Sequence, residues 1–250
     1  MNAYTSFAQV YDAFMDNVPY NEGCQYLCSL LKNHGIHNGL IAELGCGTGT
    51  LTELLANAGY DMIGIDNSPE MLELAQEKKT KSGNNILYLL QDMREFELYG
   101  TVRGIISFCD SLNYITSPDD LLQIFRLVNN YLDPGGYFIF DFHTRYYYAD
   151  VLGENTIAED RESMSFIWDN YYDEESLLNE YSLSIFVQED NGLYRKFQEE
   201  HFQRAYTLEE IQALINQSGL VFESAYDELS TEPPHQKSTR IHVIAREHGK

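Results

Sequence analysis

Basic residues are scarce in this chain, whose 250 residues include 16 Lys and Arg against 39 Asp and Glu. The resulting net charge of −23 repels phosphate backbones and anionic membranes, which disfavours DNA and a membrane surface as partners. Many proteins carry an acidic surface for solubility alone. The charge therefore disfavours these partners but does not identify the actual one. The sequence therefore favours a small-molecule partner.

Cysteines are also few, and Cys24, Cys28, Cys46 and Cys109 form neither paired Cys-x-x-Cys motifs nor a dense framework. This spacing disfavours structural zinc and a disulfide scaffold, so we expect no metal and a reducing compartment. The segment Met1 to Asp16 lacks a basic region followed by an apolar core. No stretch approaches the roughly 20 uninterrupted apolar residues of a membrane span. We expect a cytoplasmic protein.

Short apolar runs alternate with helical stretches between residues 40 and 142, an order that predicts a parallel sheet with helices on both faces. An amphipathic helix over Glu22–Asn33 precedes it. The predicted strands are Leu40–Leu44, Asp61–Ile65, Ile86–Leu90, Gly104–Cys109 and Tyr137–Phe142. The predicted helices are Thr50–Ala58, Pro69–Lys79 and Pro118–Tyr131, two of which begin with a Ser-Pro pair typical of a helix start.

The pattern changes after Phe142 to three β segments, at Ser165–Tyr172, Leu178–Val187 and Tyr194–Tyr206. An Asn-Gly pair at Asn191 and Gly192 predicts a hairpin between the last two. We therefore predict a three-stranded antiparallel insert over residues 145–206, within a core formed by residues 1–144 and 207–250. The core ends with a helix capped by Thr207 and with two strands, Leu220–Tyr226 and Arg240–Ala245.

A glycine-rich turn, Glu43 to Gly49, connects the first predicted strand to the next helix. Glycines at 45, 47 and 49 let the backbone adopt positive φ and approach a ligand closely. The spacing differs from the dinucleotide pattern G-x-G-x-x-G. The loop alone, however, does not decide between a dinucleotide and another nucleotide-like ligand. Asp66, about 20 residues on, suits a ribose, and Asp92 after the third strand suits an adenine amine.

This ordered set resembles the class I S-adenosylmethionine-dependent methyltransferases, whose acidic-x-G-x-G-x-G motif matches Glu43 to Gly49. The resemblance implies an α/β Rossmann-like fold with a seven-stranded, mostly parallel sheet and an antiparallel β insert after the fifth strand. It also implies S-adenosylmethionine as cofactor and a cofactor site along the strand ends. That site comprises Tyr11, Glu43, Gly45, Cys46, Gly47, Gly49, Asp66, Asn67, Met71, Gln91, Asp92, Met93, Cys109, Asp110 and Asn113.

The N-terminal run Phe7 to Asp12 looks like the lead-in of a bacterial branch that includes sugar and glycine-type N-methyltransferases. In that branch an aromatic residue folds over the cofactor, which makes Tyr11 a candidate contact; ordinary helix packing is the alternative. The chain lacks the Asn/Asp-Pro-Pro-aromatic and Pro-Cys motifs of nucleic-acid methyltransferases. A small-molecule acceptor, an amine or a hydroxyl, is therefore expected.

Methyl transfer needs alignment of the reactants above all, and a general base only when the acceptor arrives protonated. His201 in the insert is the first candidate base, because strand alternation places Glu199 on its face; His143 after the fifth strand is the second. We expect the insert to act as a substrate lid, with substrate contacts from Tyr114, Trp168, Tyr172 and Arg204.

Three other functions remain open at this stage. They are a tRNA or protein methyltransferase, a non-catalytic protein that binds S-adenosylmethionine, and an NAD-dependent oxidoreductase. The sequence leaves open whether nitrogen, oxygen or carbon is methylated, and it leaves the oligomeric state undetermined.

Overall fold

The structure, a computed structural model, describes residues 8–250 of the chain. Two helices open it, α1 (Ala8–Phe14) and α2 (Tyr20–Asn33). Strands and helices then alternate as β1 (Leu40–Leu44), α3 (Thr50–Asn57), β2 (Asp61–Asp66), α4 (Pro69–Ser82), β3 (Leu87–Leu90), β4 (Val102–Ser107), α5 (Pro118–Tyr131) and β5 (Leu132–His143). A 3₁₀ turn, Ser111–Tyr114, lies between β4 and α5.

After β5 come a π-helical turn, Tyr147–Leu152, and the strands β6 (Thr156–Asp160), β7 (Met164–Asp173), β8 (Leu178–Gln188) and β9 (Tyr194–Arg204). The chain closes with α6 (Leu208–Ser218), β10 (Leu220–Asp227) and β11 (Arg240–Glu247). Thr207 caps α6 with a capping box to Glu210, as predicted.

The main sheet has seven strands in the order β10-β11-β5-β4-β1-β2-β3. Strands β1 to β5 are parallel, while β11 pairs antiparallel with β5 and β10 antiparallel with β11. Helices α5 and α6 pack on one face and α2, α3 and α4 on the other, which gives two apolar cores. The predicted Rossmann-like α/β fold is confirmed.

The β insert between β5 and α6 is a four-stranded antiparallel sheet in the order β6-β7-β8-β9, so the prediction of three strands was wrong. The missed strand, β6, is exposed along most of its length and has no apolar alternation to reveal it. Val10 and Phe14 of α1 pack against Tyr181, Leu183 and Ile185 of β8 in one apolar cluster. Helix α1 therefore joins the insert to the core.

The fifth strand begins five residues earlier than predicted, at Leu132. Its pairing with β4 passes from Leu132 directly to Tyr137, so the predicted turn at Asp133 to Gly136 forms an irregularity inside the strand. Gly135 has φ +75 there, as a turn residue would. The turn chemistry was read correctly, but the backbone continues in the sheet on either side of it.

Two glycines with the same backbone conformation separate the cost of positive φ from the cost of crowding. Gly49 and Gly83 both have φ +74, but a Cβ at Gly49 would overlap the Tyr88 hydroxyl, whereas one at Gly83 meets nothing within 4 Å. Gly83→Ala should cost about 1–2 kcal/mol for its left-handed conformation. Gly49→Ala should cost a further ~1–3 kcal/mol for overpacking. Urea unfolding measures both, and equal losses would contradict the packing around Gly49.

Candidate cofactor and methyl-transfer site

A cavity of about 540 Å³ lies at the carboxyl ends of the parallel strands. The sheet order reverses between β1 and β4, and such a switch point is where open α/β sheets bind ligands. The volume is within the range of about 300–1,000 Å³ for small-molecule sites. Thirteen of the predicted site residues line it: Tyr11, Glu43, Gly45, Cys46, Gly47, Asp66, Asn67, Met71, Gln91, Asp92, Met93, Cys109 and Tyr114.

The glycine-rich loop is tied to the end of β2 by backbone hydrogen bonds. The amides of Gly45 and Cys46 donate to the Ile65 carbonyl at 2.8 and 3.0 Å. The Gly47 amide donates to Asp66 Oδ2 at 2.8 Å, and the Ser68 amide donates to Asp66 Oδ1 at 2.9 Å. Gly47 itself has φ +52, and a Cβ there would meet no atom within 4 Å. The loop therefore leaves open space at Gly47, where a ligand could approach the backbone.

Two carboxyl groups in the cavity wall have raised pKa values because they are buried. Burial raises the pKa of Glu43 to about 8, although Thr52 donates a hydrogen bond to it at 2.5 Å. Burial also raises the pKa of Asp66, against the opposing effect of the Ser68 and Gly47 amides. A ligand that brings positive charge would favour the ionised form of both groups. The wall is thus suited to a cationic ligand.

Asp92 differs, because Arg94 lies beside it. Hydrogen bonds from the Arg94 side chain lower the pKa of Asp92 and keep it anionic. Arg94 Nε donates at 2.9 Å to Oδ1 and at 3.1 Å to Oδ2 of this carboxylate. The Arg94 backbone amide also donates to Oδ1 at 2.9 Å and its Nη2 to Oδ2 at 2.5 Å, so a ligand donor at Asp92 would have to share or displace one of these contacts.

The turn after β4 is held in a strained conformation beside the cavity. Cys109 and Asp110 have φ values of +59 and +52, uncommon for residues with a side chain. Both of their amides donate to the buried Asp141 carboxylate, at 3.2 and 2.8 Å. Arg240 donates to Asp141 at 2.5 Å and to Asp110 at 2.8 Å. Burial also raises the pKa of the Cys109 thiol, which therefore stays neutral.

Helix α1 forms another wall, with Tyr11 on the cavity. The next residue, Asp12, accepts a hydrogen bond from Thr48 at 2.6 Å and pairs with Lys78 at 2.7 Å. These contacts join α1 to the glycine-rich loop and to α4. Phe7, the first residue of the N-terminal motif, lies outside the described residues.

Three predicted cofactor residues do not line the cavity: Gly49, Asp110 and Asn113. Asn113 is fully buried, and its amide nitrogen donates to the carbonyls of His143 and Arg204 at 3.0 and 2.8 Å. It therefore braces β5 against β9. Asp110 faces Arg240 and accepts from Gln203 of β9 at 3.0 Å, which links the core to the insert.

Three predicted substrate residues also lie outside the lining. Trp168 packs on Tyr181 with ring centroids 4.3 Å apart. Tyr172 stacks near Tyr148, and Arg204 lies over the Tyr206 ring at 5.3 Å. Their proposed roles would require the substrate to extend beyond the cavity.

The two candidate bases have different surroundings. His143 Nδ1 faces the Thr239 carbonyl at 3.1 Å and must donate there, so Nε2 carries the lone pair, which accepts from Arg240 at 2.8 Å. Burial, together with the Arg240 charge, lowers the pKa of His143 to about 3. A group that is so weakly basic and already hydrogen-bonded is a poor general base at neutral pH. His201 is buried behind Tyr114 and does not line the cavity.

Sequence reasoning missed twelve lining residues: Tyr20, Thr48, Thr50, Leu51, Ile65, Ser68, Arg94, Phe108, Ser111, Ile115, Thr116 and Asp120. Several are neighbours of predicted positions and could have been found by extending each motif by one or two residues. Tyr20 could not, because it reaches the cavity from the start of α2 and no local pattern marks it.

Within residues 8–250, no group of three or more His, Cys, Asp or Glu could hold a metal ion. No helix in the same range combines the length and apolar character needed to cross a membrane.

The sheet order and the glycine-lined cavity at its switch point define a Rossmann-like protein with a nucleotide-type ligand site. A family described as "Methyltransferase domain" matches residues 41–136. The chain is 33% identical over 244 residues to "Putative methyltransferase YqeM" of Bacillus subtilis (strain 168), covering 97% of this chain and 96% of that one.

Among solved structures, an S-adenosylmethionine-dependent methyltransferase from Clostridium acetobutylicum ATCC 824 is 30% identical, with a TM-score of 0.88 over 99% of this chain and 100% of that one. CalS10 of Micromonospora echinaspora, an amino pentose methyltransferase solved with S-adenosylmethionine bound, shares the fold at 17% identity, with a TM-score of 0.75 over 99% of each chain. The chain belongs to the S-adenosylmethionine-dependent methyltransferase family and is an enzyme of that class.

Glu43→Gln should flatten the pH dependence of stability. The carboxyl has a pKa of about 8 when folded and 4.5 as an ordinary value, so the folded state keeps a proton that the unfolded chain loses. This contribution is complete below pH 4.5 and is lost as the pH rises through about 8, with a slope of up to ~1.4 kcal/mol per pH unit. Unfolding across that range measures it, with the exposed Glu73→Gln as control. Equal slopes in both variants would contradict a buried, protonated Glu43.

Proposed function

We propose that this methyltransferase binds S-adenosylmethionine along the carboxyl edge of β1, β2 and β4 and methylates a small molecule that bears an amine or a hydroxyl. The observation that carries the proposal is the cavity itself, because its lining brings together residues that follow β1, β2, β3 and β4, where the proposal expects the parts of the cofactor to bind. S-adenosylmethionine, when bound, supplies an activated methyl group on a sulfonium.

Each cavity wall suits one part of that molecule. The Asp66 carboxylate lines the cavity beside the loop amides, and we propose that it accepts from the ribose hydroxyls. Asn67, Met71, Asp92 and Met93 surround the position proposed for adenine. The carboxyl groups of Asp66, Asp92 and Asp120 outnumber the single cation, Arg94, in the cavity wall. This excess of acidic groups favours a ligand that carries a sulfonium and an ammonium.

The position of the insert supports a small acceptor. Tyr114 lines the cavity and also contacts Tyr181 of β8, so the insert adjoins the cavity beside the turn after β4. We propose that residues 145–206 act as the substrate lid over this end. CalS10 methylates an amino pentose according to its description, and an amine on a small molecule fits the same arrangement here. The net charge of −23 works against a nucleic-acid acceptor.

The proposed role of Asp66 predicts that Asp66→Asn weakens S-adenosylhomocysteine binding about 10- to 100-fold. An Asn side chain has one acceptor oxygen and cannot serve both the Gly47 and Ser68 amides while it also accepts from a ribose. Hydrogen bonds to a charged group contribute roughly 1.5–3 kcal/mol, which corresponds to this range. Calorimetry gives the affinity. Asp61→Asn at the exposed start of β2 is the matched control, and equal affinities for the two variants would refute the role.

The acceptor class is tested with S-adenosylmethionine carrying a labelled methyl group. Bacterial extract is divided into small-molecule, tRNA and protein fractions, and each is incubated with the enzyme. We expect label in the small-molecule fraction, in a product that mass spectrometry identifies as an N-methyl or O-methyl compound. Label only in tRNA or protein would refute the small-molecule acceptor. No transfer to any fraction, from an enzyme that binds S-adenosylhomocysteine, would favour a non-catalytic binding protein.

A further inference from the structure

A buried chain of polar side chains runs from the insert to the cavity. Tyr114, on the 3₁₀ turn, lines the cavity. Its hydroxyl lies 2.6 Å from the Tyr181 hydroxyl and 3.4 Å from His201 Nδ1. His201 Nε2 lies 3.2 Å from Glu199 Oε2. Two segments far apart in sequence, the 3₁₀ turn and β9, therefore bring a phenol, an imidazole and a carboxylate into one line that ends at the cavity.

On the basis of the proposed function, we propose that Tyr114 is a catalytic residue that takes a proton from the acceptor while passing its own proton to His201. Glu199 and Tyr181 are positioning residues in this relay. The substrate class follows: the acceptor's nucleophilic atom carries a proton that must leave, as in an ammonium or a hydroxyl group. A carbon acceptor without an acidic proton would not use the relay.

The geometry fixes the direction of the relay. A carboxylate only accepts hydrogen bonds, so His201 must donate to Glu199 from Nε2. The lone pair of the neutral ring is then on Nδ1, which faces Tyr114. Tyr114 donates to Nδ1, and Tyr181 donates to the Tyr114 oxygen. The 3.4 Å contact is long, but such contacts commonly tighten when substrate binds.

Packing keeps the His201 ring in this orientation. His201 is 1% exposed, and its ring stacks on that of Tyr181 with centroids 4.6 Å apart and planes at 9°. Trp168 covers Tyr181 with centroids 4.3 Å apart. Burial raises the pKa of Tyr181, which therefore remains a neutral donor. In this buried site the Glu199 carboxylate stabilises the imidazolium that forms when the proton arrives.

Other ionisable groups face the relay from the elements packed around it. Tyr114 and Glu199 contact His201 directly, and Tyr181 is also in the electrostatic field of Asp110, Glu199 and Tyr147. Tyr11 and Tyr148 couple to Tyr181 in turn. Arg240 is paired with Asp110, on the turn after β4, and with Asp141.

The step balances in atoms and charge. The acceptor atom forms a bond to the methyl carbon as the carbon–sulfur bond breaks, and the electron pair of that bond stays on sulfur. The acceptor's proton moves to the Tyr114 oxygen, and the Tyr114 proton moves to His201 Nδ1. With a hydroxyl acceptor, the positive charge lost from sulfur reappears on the imidazolium beside Glu199. An ammonium gives its proton to the relay before its nitrogen attacks, so the imidazolium takes the ammonium's charge and the charge lost from sulfur reappears on the methylated nitrogen. In both cases the imidazolium proton is released to solvent as the products leave.

The tautomer of His201 tests the relay without any acceptor. Protein with ¹⁵N-labelled histidine is saturated with S-adenosylhomocysteine, and the signals of His201 are assigned by their loss in His201→Gln. We expect the proton on Nε2 and a bare Nδ1 at neutral pH, with the Nδ1 shift changed by Tyr114→Phe. A proton on Nδ1 of the neutral ring would overturn the proposal, because that nitrogen could not accept from Tyr114.

Turnover tests the same relay, with the small-molecule fraction of bacterial extract as the acceptor source. Tyr114→Phe and His201→Gln should lower kcat about 10²- to 10⁴-fold at neutral pH, with S-adenosylhomocysteine affinity unchanged. For an ammonium acceptor the loss should shrink as the pH rises, because the acceptor then loses its proton to water. Tyr171→Phe, exposed on β7 of the same insert, should match the wild type.

A Tyr114→Phe enzyme that retains wild-type turnover at every pH would overturn the proposal. Where the product is an N-methyl compound, a kcat loss that does not vary with pH would overturn it as well, since a purely structural defect behaves in that way. If the wild type binds S-adenosylhomocysteine but methylates nothing, the proposed function fails instead, and the His201 tautomer still decides the relay.

Discussion

The turn that follows β4, at the carboxyl edge of the sheet, depends on the buried carboxylate of Asp141. It is fully buried at the end of β5, and it accepts from the Cys109 and Asp110 amides after β4 and from Arg240 at the start of β11. Residues in such left-handed conformations cost of order 1–3 kcal/mol each and persist only where the surroundings hold them. Charge-assisted hydrogen bonds to one buried acceptor offset that cost.

The position of several site residues follows from this contact. Cys109 and Ser111 form one wall of the cavity, and Tyr114 at the end of the 3₁₀ turn faces both the cavity and the insert. Asp110 turns away from the cavity to Arg240 and Gln203, so the same carboxylate network also holds β9 of the insert. The loss of one partner from a buried ion pair leaves an unpaired buried charge, which destabilises the protein. Replacing a single member of this network is therefore expected to be destabilising. The insert and the core are thereby held in one arrangement.

The sequence predicted the parts of the molecule that local chemistry determines. The glycine-rich loop needs positive φ at fixed positions, and strand alternation and helix caps repeat at short range, so β1, α5 and the start of α6 were predicted at or near their true bounds. The predicted cofactor residues that line the cavity follow strand ends, which local patterns also mark. β6 was missed because its exposed residues carry no alternating pattern.

Contacts between residues far apart in the sequence could not be predicted from local patterns. Arg240 and Asp141 are 99 positions apart, and Tyr114 and His201 are 87 apart, so only the folded chain brings them together. His143 was a reasonable candidate base from its place after β5, but its Arg240 neighbour is invisible in the local sequence. Strand alternation did place Glu199 and His201 on one face, and the structure adds that Tyr114 lies between His201 and the cavity.

The central claim is that the cavity at the carboxyl edge is a site for S-adenosylmethionine. Calorimetry of the wild-type protein with S-adenosylhomocysteine and, separately, with NAD tests it most directly. Saturable one-site binding of S-adenosylhomocysteine with no heat from NAD is the predicted result. Binding of NAD with no response to S-adenosylhomocysteine would contradict it.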